Sequence, residues 1–162
     1  MHYKTDSTWL IEECSKTDSF GELVVIAIAE LEKFENGAEV VCGPISTGGK
    51  GSLEANFKVF SETITKLQKD GCPIFSQVPY EERIFFFRNR WLESDPTNKG
   101  KYYMPILEEF YHPLLQTGLI KKGWFIPGWD SSFGARWERE QLTEGNAEIE
   151  DLTEAWVDEI FS

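Results

Sequence analysis

The stretch EVVCGPISTGGKGS, residues 39–52, decides the fold of this chain. Its first four residues, Glu39 to Cys42, are short and mostly β-branched, and they predict a buried strand that ends at Gly43-Pro44. The remainder is rich in glycine and small hydroxyl residues, which allow a loop with backbone N–H groups directed at a ligand. The stretch therefore predicts a strand that delivers a candidate binding loop.

A helix and a second strand are predicted directly after this loop. Gly71 ends the helix, whose apolar stripe has helical spacing and consists of Phe57, Phe60, Ile64 and Leu67. The second strand is predicted over residues 72–77. A strand, a loop, a helix and a further strand in this order are typical of a right-handed βαβ crossover, which implies a parallel sheet.

The rest of the chain continues the alternation of helices and strands. A helix is predicted over residues 20–35 with Gly37 as its stop, and another over residues 106–115, bent or ended near Pro113. Residues 80–93 are ambiguous between strand and helix, and residues 94–101 predict a polar loop. Further strands are predicted at 123–126 and 147–149, and further helices from Gly134 and over 153–161.

This pattern predicts an α/β fold with an open parallel sheet, of the Rossmann or flavodoxin-like three-layer α/β/α type. No repeat or composition break indicates a second domain. We expect residues 1–37 to form an N-terminal helical extension and residues 38–162 to form the α/β domain.

Composition and charge limit the class of protein. The 162 residues are 41% hydrophobic, and 16 basic against 28 acidic residues give a net charge of -12, which argues against a nucleic acid polymer or a membrane surface as partner. The three cysteines form no CxxC pair and no signal peptide is recognised, so reduced thiols of a cytoplasmic protein are expected. No metal or other cofactor is predicted, and the longest apolar run, residues 23–29, is too short to span a bilayer.

The glycine-rich loop does not match the known nucleotide-binding patterns. In a nucleoside triphosphate loop, lysine follows the second glycine directly, whereas here Gly49 separates Gly48 from Lys50. The loop remains a generic anion nest at a helix N-terminus, favourable to one phosphate. The alternative is a turn that only connects the strand to the helix and binds no ligand.

A second loop, PGWDSSFGARWE at residues 127–138, precedes another predicted helix. Ser132 is expected to cap this helix, and Glu138 then lies about one turn inside it. A serine cap can donate to a phosphate, and the carboxylate could sit under the attached sugar. Taken alone, this is an ordinary capping arrangement. Because ligands bind at the carboxyl edge of parallel sheets, the two loops predict one site.

Together, the CGPISTGG and PGWDSSFGARWE segments resemble the nucleoside 2-deoxyribosyltransferase-like superfamily, over roughly residues 39–149. The resemblance implies that Glu138 is the nucleophile that attacks the anomeric carbon of a nucleoside or nucleotide. Members acting on free nucleosides tend to carry aspartate where this chain has Ser132, and the monophosphate hydrolases carry serine. It therefore implies a nucleoside 5′-monophosphate N-glycosidase. The alternatives are a deoxyribosyltransferase, a non-catalytic nucleotide or nucleotide-sugar binding module, and a structural partner protein.

The resemblance and the two loops define the candidate site residues. Glu138 and Asp130 are the catalytic candidates, and the leaving-group acid stays open between Asp130 and the set Glu108, Glu109 and His112. Trp129 either stacks on a nucleobase or seals the core. The substrate-binding and phosphate-binding candidates are Gly43, Ile45, Ser46, Thr47, Gly48, Gly49, Trp129, Ser132 and Gly134. The cations that could assist them are Lys50, Arg83 and Arg136.

A homodimer is also expected, because the resemblance implies a pocket closed by a neighbouring subunit. The helix at 20–35 is apolar around much of its circumference. Residues 85–87 and Trp91 together carry more apolar surface than one face of a small sheet normally buries, so some of it is expected to pack against another copy. The alternative is that the N-terminal helix covers an edge of the sheet. The predicted ligand is a nucleoside 5′-monophosphate or a related small molecule.

Overall fold

The computed structural model describes residues 3–45 and 48–162 and shows a mixed α/β chain. The helices of these residues are α1 Tyr3–Ser15, α2 Phe20–Leu31, α3 Leu53–Lys69, α4 Val78–Ser94, α5 His112–Gln116, α6 Phe133–Glu144 and α7 Glu154–Ile160. The strands are β1 Ala38–Cys42, β2 Ile120–Phe125 and β3 Glu148–Asp151. Short 3-10 turns at Pro96–Asn98 and Trp129–Ser131 and a π-helix at Ile106–Tyr111 complete the assignment.

The strands form an open parallel sheet in the order β1-β2-β3. Cys42 at the end of β1 is opposite Phe125 of β2, which is opposite Asp151 of β3. The carboxyl ends of the strands therefore lie at one edge. The predicted α/β class and the parallel sheet are confirmed.

The chain divides into two compact units. One unit comprises Leu31–Ser76 and Gly118–Ser162 and contains the sheet with α3, α6 and α7. The other comprises Met1–Glu30 and Gln77–Thr117, and in it α1 packs against α4. This grouping differs from the predicted division at residue 37, because the N-terminal helices belong with residues 77–117.

The predicted strand at 72–77 is reduced to a single bridge between Ile74 and Glu39. The N–H of Phe75 donates to the Glu39 carbonyl at 2.8 Å, and the N–H of Glu39 donates to the Pro73 carbonyl at 2.9 Å. Helix α4 then begins at Val78, with Pro79 in its first turn, where a missing N–H removes no helical hydrogen bond. Gln77 already has helical backbone angles, φ -81° and ψ -12°, so the extended backbone that pairing needs ends before it.

The segment 80–93, for which the sequence allowed a strand or a helix, is helical. The helix predicted over 106–115 is irregular, because it begins as a π-helix. Within α4, Ile84 and Phe87 are buried while Phe86 is exposed, which follows the helical period rather than the alternation of a strand. In the later helix, the N–H of His112 donates to the Leu107 carbonyl, five residues back. This π-helical turn lies directly before Pro113, which has no N–H to donate.

Aromatic side chains form much of the core of the helical unit. Phe20 packs edge-on against Phe87, with ring centroids 5.0 Å apart, and Trp91 packs against Tyr103 at 4.9 Å. Of the residues expected at a dimer interface, Phe87 is therefore inside this unit. Phe86 is exposed, and the Arg83 guanidinium lies 4.1 Å from its ring centroid. The homodimer stays a prediction.

Glu81, in the first turn of α4, is a buried carboxyl group that sequence reasoning did not single out. It is 5% exposed, and its Oε1 accepts no hydrogen bond from the residues that the structure describes. Burial raises the pKa of this group from 4.5 to about 7. The folded protein therefore binds this proton more tightly than the unfolded chain, and stability declines as the pH rises from about 4.5 to about 7.

We expect Glu81→Gln to raise the free energy of unfolding at pH 8 by about 3 kcal/mol and to change it little at pH 4.5. The reason is that the neutral amide avoids the cost of ionising a buried carboxyl group. Chemical denaturation at both pH values measures the difference. Glu82→Gln, which changes an exposed neighbour, is the matched control. An equal gain at both pH values would contradict the assignment.

Candidate functional site

Two loops leave the carboxyl ends of β1 and β2 and meet beside the sheet. At their start, the N–H of Ile126 donates to the Cys42 carbonyl at 2.9 Å. Further on, the N–H of Gly49 donates to the Ser131 hydroxyl at 2.8 Å, and that hydroxyl donates to the Gly128 carbonyl at 2.6 Å. Ser131 therefore bridges the first loop and the second.

Gly48 lies where the two loops come closest. Its φ is +69°, and a Cβ atom added there would lie 2.3 Å from the backbone oxygen of Ser131. Only glycine combines this left-handed conformation with such a close approach to another segment. The contact explains why the loop needs glycine at this position.

Asn56, in the first turn of α3, holds the glycine-rich loop in shape. Its side chain is 4% exposed and makes three hydrogen bonds. Oδ1 accepts from the Lys50 N–H at 2.7 Å, and Nδ2 donates to the carbonyls of Ile45 at 3.1 Å and Gly48 at 3.0 Å. Sequence reasoning missed this residue, because an amide one turn into a helix is equally typical of a solvated face. The buried amide therefore ties Ile45, Gly48 and Lys50 to the first turn of α3.

These hydrogen bonds also decide which amides the loop offers to a ligand. The N–H of Gly49 is bonded to Ser131, that of Lys50 to Asn56, and that of Gly51 to the Gly48 carbonyl at 3.2 Å. In this conformation, those three amides do not contribute to the predicted anion nest. Gly43 and Ile45, two of the predicted binding residues, come earlier in the loop, directly after β1. Ser46 and Thr47, predicted as binding residues, lie outside the described residues.

The second loop ends in the predicted serine cap. The Ser132 hydroxyl accepts a hydrogen bond from the Ala135 N–H at 3.3 Å, which confirms Ser132 as the N-cap of α6. Ser132 is 3% exposed, and Gly134 is buried beside it. The serine that faces the glycine-rich loop is therefore Ser131, and Ser132 closes the start of the helix.

Glu138 is half-buried on α6, and its negative charge acts on Cys42, the last residue of β1. Cys42 is 1% exposed, and its burial, reinforced by the negative charge of Glu138, raises the pKa of the thiol well above its ordinary value. The thiol therefore stays protonated, and the predicted nucleophile lies at the carboxyl edge of the sheet.

Arg139, the neighbour of Glu138, is held by Asp151 at the carboxyl end of β3. Nη1 and Nη2 of the guanidinium donate to the two carboxylate oxygens at 2.6 and 3.1 Å. This hydrogen-bonded pair lowers the pKa of Asp151 below its usual value. The same guanidinium lies 4.1 Å from the ring centroid of Trp129, which packs edge-on against Phe125 at 5.6 Å. Of the two roles expected for Trp129, these contacts favour sealing the core.

The remaining acid candidates lie in different parts of the fold. Asp130 is exposed on its 3-10 turn, where its backbone carbonyl accepts from Nη1 of Arg136 at 2.8 Å. Glu108 and Glu109 are on the π-helix of the helical unit, and His112 begins α5 there. Of the candidate cations, Arg83 is also in that unit, where its guanidinium donates to the Thr17 carbonyl.

A cavity of about 180 Å³ opens beside the two loops. Its lining includes Asn56 and Ser131 on the loop side and Glu154 and Asp158 on α7. Typical small-molecule pockets measure about 300–1,000 Å³, so this one does not hold a whole nucleotide. Among the described residues that line it, neither Glu138 nor Ser132 occurs, so the cavity and the predicted nucleophile are separate features.

Comparison with known protein families, curated proteins and solved structures finds no match to this chain. Over residues 3–45 and 48–162, no three histidine, cysteine or acidic side chains are grouped so that they could hold a metal ion. Within the same ranges, every helix is too short or too polar to cross a membrane. The fold and the site define an α/β protein in which two loops meet at the carboxyl edge of an open parallel sheet.

Proposed function

We propose that this protein is a nucleoside 5′-monophosphate N-glycosidase with a Rossmann-like core and Glu138 as its nucleophile. The observation that carries the proposal is the position of Glu138. It is half-buried on the helix that Ser132 caps, and its negative charge acts on Cys42 at the carboxyl end of β1. Ligand sites of open parallel sheets lie at this edge, which supports a catalytic role for the carboxylate.

The reaction needs two displacements at the anomeric carbon of the sugar. In the first, a Glu138 oxygen forms a bond to C1′ while the bond from C1′ to the base nitrogen breaks, and its electron pair leaves with the base. In the second, water attacks C1′, a proton is lost, and the Glu138 carboxylate is regenerated. The negative carboxylate also stabilises the oxocarbenium-like transition state. The acid that protonates the departing base stays open among Asp130, Glu108, Glu109 and His112.

Recognition of the phosphate is assigned to the start of α6 and to the first part of the glycine-rich loop. A helix N-terminus carries partial positive charge, which favours an anion even on a protein of net charge -12. Binding the phosphate holds the sugar over Glu138, so the remote contact lowers the barrier as well as the dissociation constant.

The proposal is tested by incubating the protein with ribo- and deoxyribonucleoside 5′-monophosphates and measuring released base by chromatography. Release in water alone supports the hydrolase. Release only when a second base is added would instead identify a deoxyribosyltransferase, and binding without release would identify a binding module. If no nucleotide in the panel binds or reacts, the proposal is wrong.

Ser132→Asp should shift preference from nucleoside 5′-monophosphates toward free nucleosides, because a carboxylate would repel the phosphate. We expect a change of at least about tenfold in the ratio of kcat/KM values, as a like-charge contact costs more than about 1 kcal/mol. Ser132→Asn is the matched control, since asparagine and aspartate both cap helices and differ in charge. An unchanged ratio in Ser132→Asp would remove Ser132 from the phosphate site.

A further inference from the structure

We infer that the cavity beside the two loops binds a small zwitterion, namely an α-amino acid with an apolar side chain. The cavity lies within the unit that contains the sheet, and Glu154, Asp158 and Lys50 are among the residues that line it. The two carboxylates are assigned to the ammonium group of the ligand, and the Lys50 ammonium group is assigned to its carboxylate. The inference goes beyond the proposed N-glycosidase and does not depend on it.

The volume and the walls of the cavity set the size and polarity of the ligand. At about 180 Å³, the cavity is slightly larger than an engineered cavity of about 150 Å³ that holds one benzene molecule. It therefore takes a ligand of about six to eight non-hydrogen atoms, which is much smaller than a nucleotide. Val59, Ile126 and Val157 form an apolar wall, which favours an apolar side chain on the ligand.

Glu154 and Asp158 form the acidic side of the cavity. They are four residues apart on α7, so their side chains lie on one face of the helix. Among the residues that the structure describes, no lysine or arginine forms an ion pair with either carboxylate. Two like charges at this spacing repel each other, and an ammonium group bound between them would offset the repulsion.

Helix α7 is attached to its neighbours, so the two carboxylates have a defined position. The N–H of Leu152, just before the helix, donates to the Phe125 carbonyl of β2 at 2.9 Å. The Thr153 hydroxyl accepts from the Trp156 N–H at 3.0 Å and caps the helix. On the side of α3, Nζ of Lys66 lies 5.9 Å from the ring centroid of Trp156. The strand and α3 therefore hold α7 beside the cavity.

Lys50 supplies the positive charge on the loop side of the cavity. Its N–H donates to Oδ1 of the buried Asn56 at 2.7 Å, which holds its backbone at the cavity wall. Within the described part of the chain, Lys50 forms no ion pair with Glu154 or Asp158, although all three line the same cavity. The charges therefore do not neutralise each other directly. A ligand with both an ammonium group and a carboxylate matches them, whereas Lys50 would repel the second cation of a diamine.

The test is a titration of the isotopically labelled full chain with glycine, alanine, proline, valine and threonine, followed by NMR at the side-chain amide of Asn56. This amide lines the cavity, so its signal reports binding there. We expect saturable shifts, with valine binding more tightly than threonine, which has nearly the same shape but would bring a hydroxyl group against the apolar wall. If none of the five amino acids shifts the amide signal, the inference is wrong.

Substitution of the two carboxylates tests the ammonium site. The double variant Glu154→Gln with Asp158→Asn should raise the Kd for valine about tenfold, because the ligand loses two partly exposed ionic partners. Glu159→Gln is the matched control, since Glu159 is exposed on the same helix and is not among the described residues that line the cavity. Its Kd should stay close to that of wild type. An unchanged Kd in the double variant, or an equal rise in the control, would overturn the inference.

Lys50→Gln tests the carboxylate site. Wild type should prefer valine to isobutylamine, which is valine without its carboxylate, and Lys50→Gln should lose most of this preference. A preference that is unchanged in Lys50→Gln would contradict the assignment of Lys50. The assay contains no nucleotide, so a failure of the proposed N-glycosidase activity leaves its result unaffected.

Discussion

Glu138→Gln should abolish base release, lowering kcat by about a thousandfold or more, as is typical when a nucleophile is removed. The amide is a poor nucleophile and carries no negative charge to stabilise the oxocarbenium-like transition state. Glutamine has nearly the same size and shape as glutamate, so the fold and nucleotide binding should survive. Chromatography of the released base and calorimetry of nucleotide binding measure the two effects separately.

Glu140→Gln is the matched control for this experiment, because Glu140 is exposed on the same helix. It removes the same charge from α6 without touching the strand edge, and it should retain wild-type turnover. Wild-type activity in Glu138→Gln would refute the nucleophile assignment. A similar loss in both variants would trace the effect to the charge of the helix rather than to one carboxylate.

Gly48→Ala should lower the free energy of unfolding by about 4 kcal/mol, combining about 1–2 kcal/mol for the left-handed conformation with about 1–3 kcal/mol for the forced contact. The added methyl group would meet the backbone oxygen of Ser131, so the two loops must separate. The hydroxyl bridge from Ser131 to Gly49 would then be lost. Activity should fall together with stability, because the loops form the predicted site.

Gly51→Ala separates the two contributions. Gly51 also has a positive φ, +87°, but an added Cβ atom there has no neighbour within 4 Å among the described residues. We therefore expect a loss of only about 1 kcal/mol from the backbone conformation. Urea denaturation of both variants measures the difference, and equal losses would show that the loop contact at Gly48 contributes nothing.

Much of the secondary structure was predictable from local patterns. The apolar stripes predicted α2 and α3, and the short β-branched run predicted β1, because each element must bury one face. The Ser132 cap was predictable because a cap satisfies donors within its own helix turn. Local patterns failed for residues 72–77, where the start of α4 ends the extended backbone after a single bridge to β1. They also missed α1, whose residues show little apolar periodicity.

The sequence by itself determined that the two loops leave parallel strands at their carboxyl edge, since the strands of a parallel sheet all run in one direction. Only the tertiary structure decided which side chains meet there. Ser131 reaches Gly49, and Asn56 binds the loop carbonyls. The Ser131 bridge joins residues far apart along the chain, and even the Asn56 contacts depend on how the loop folds back. Strand register, helix rotation and loop conformation fix these distances, and none of the three can be predicted from the spacing of residues in the local sequence.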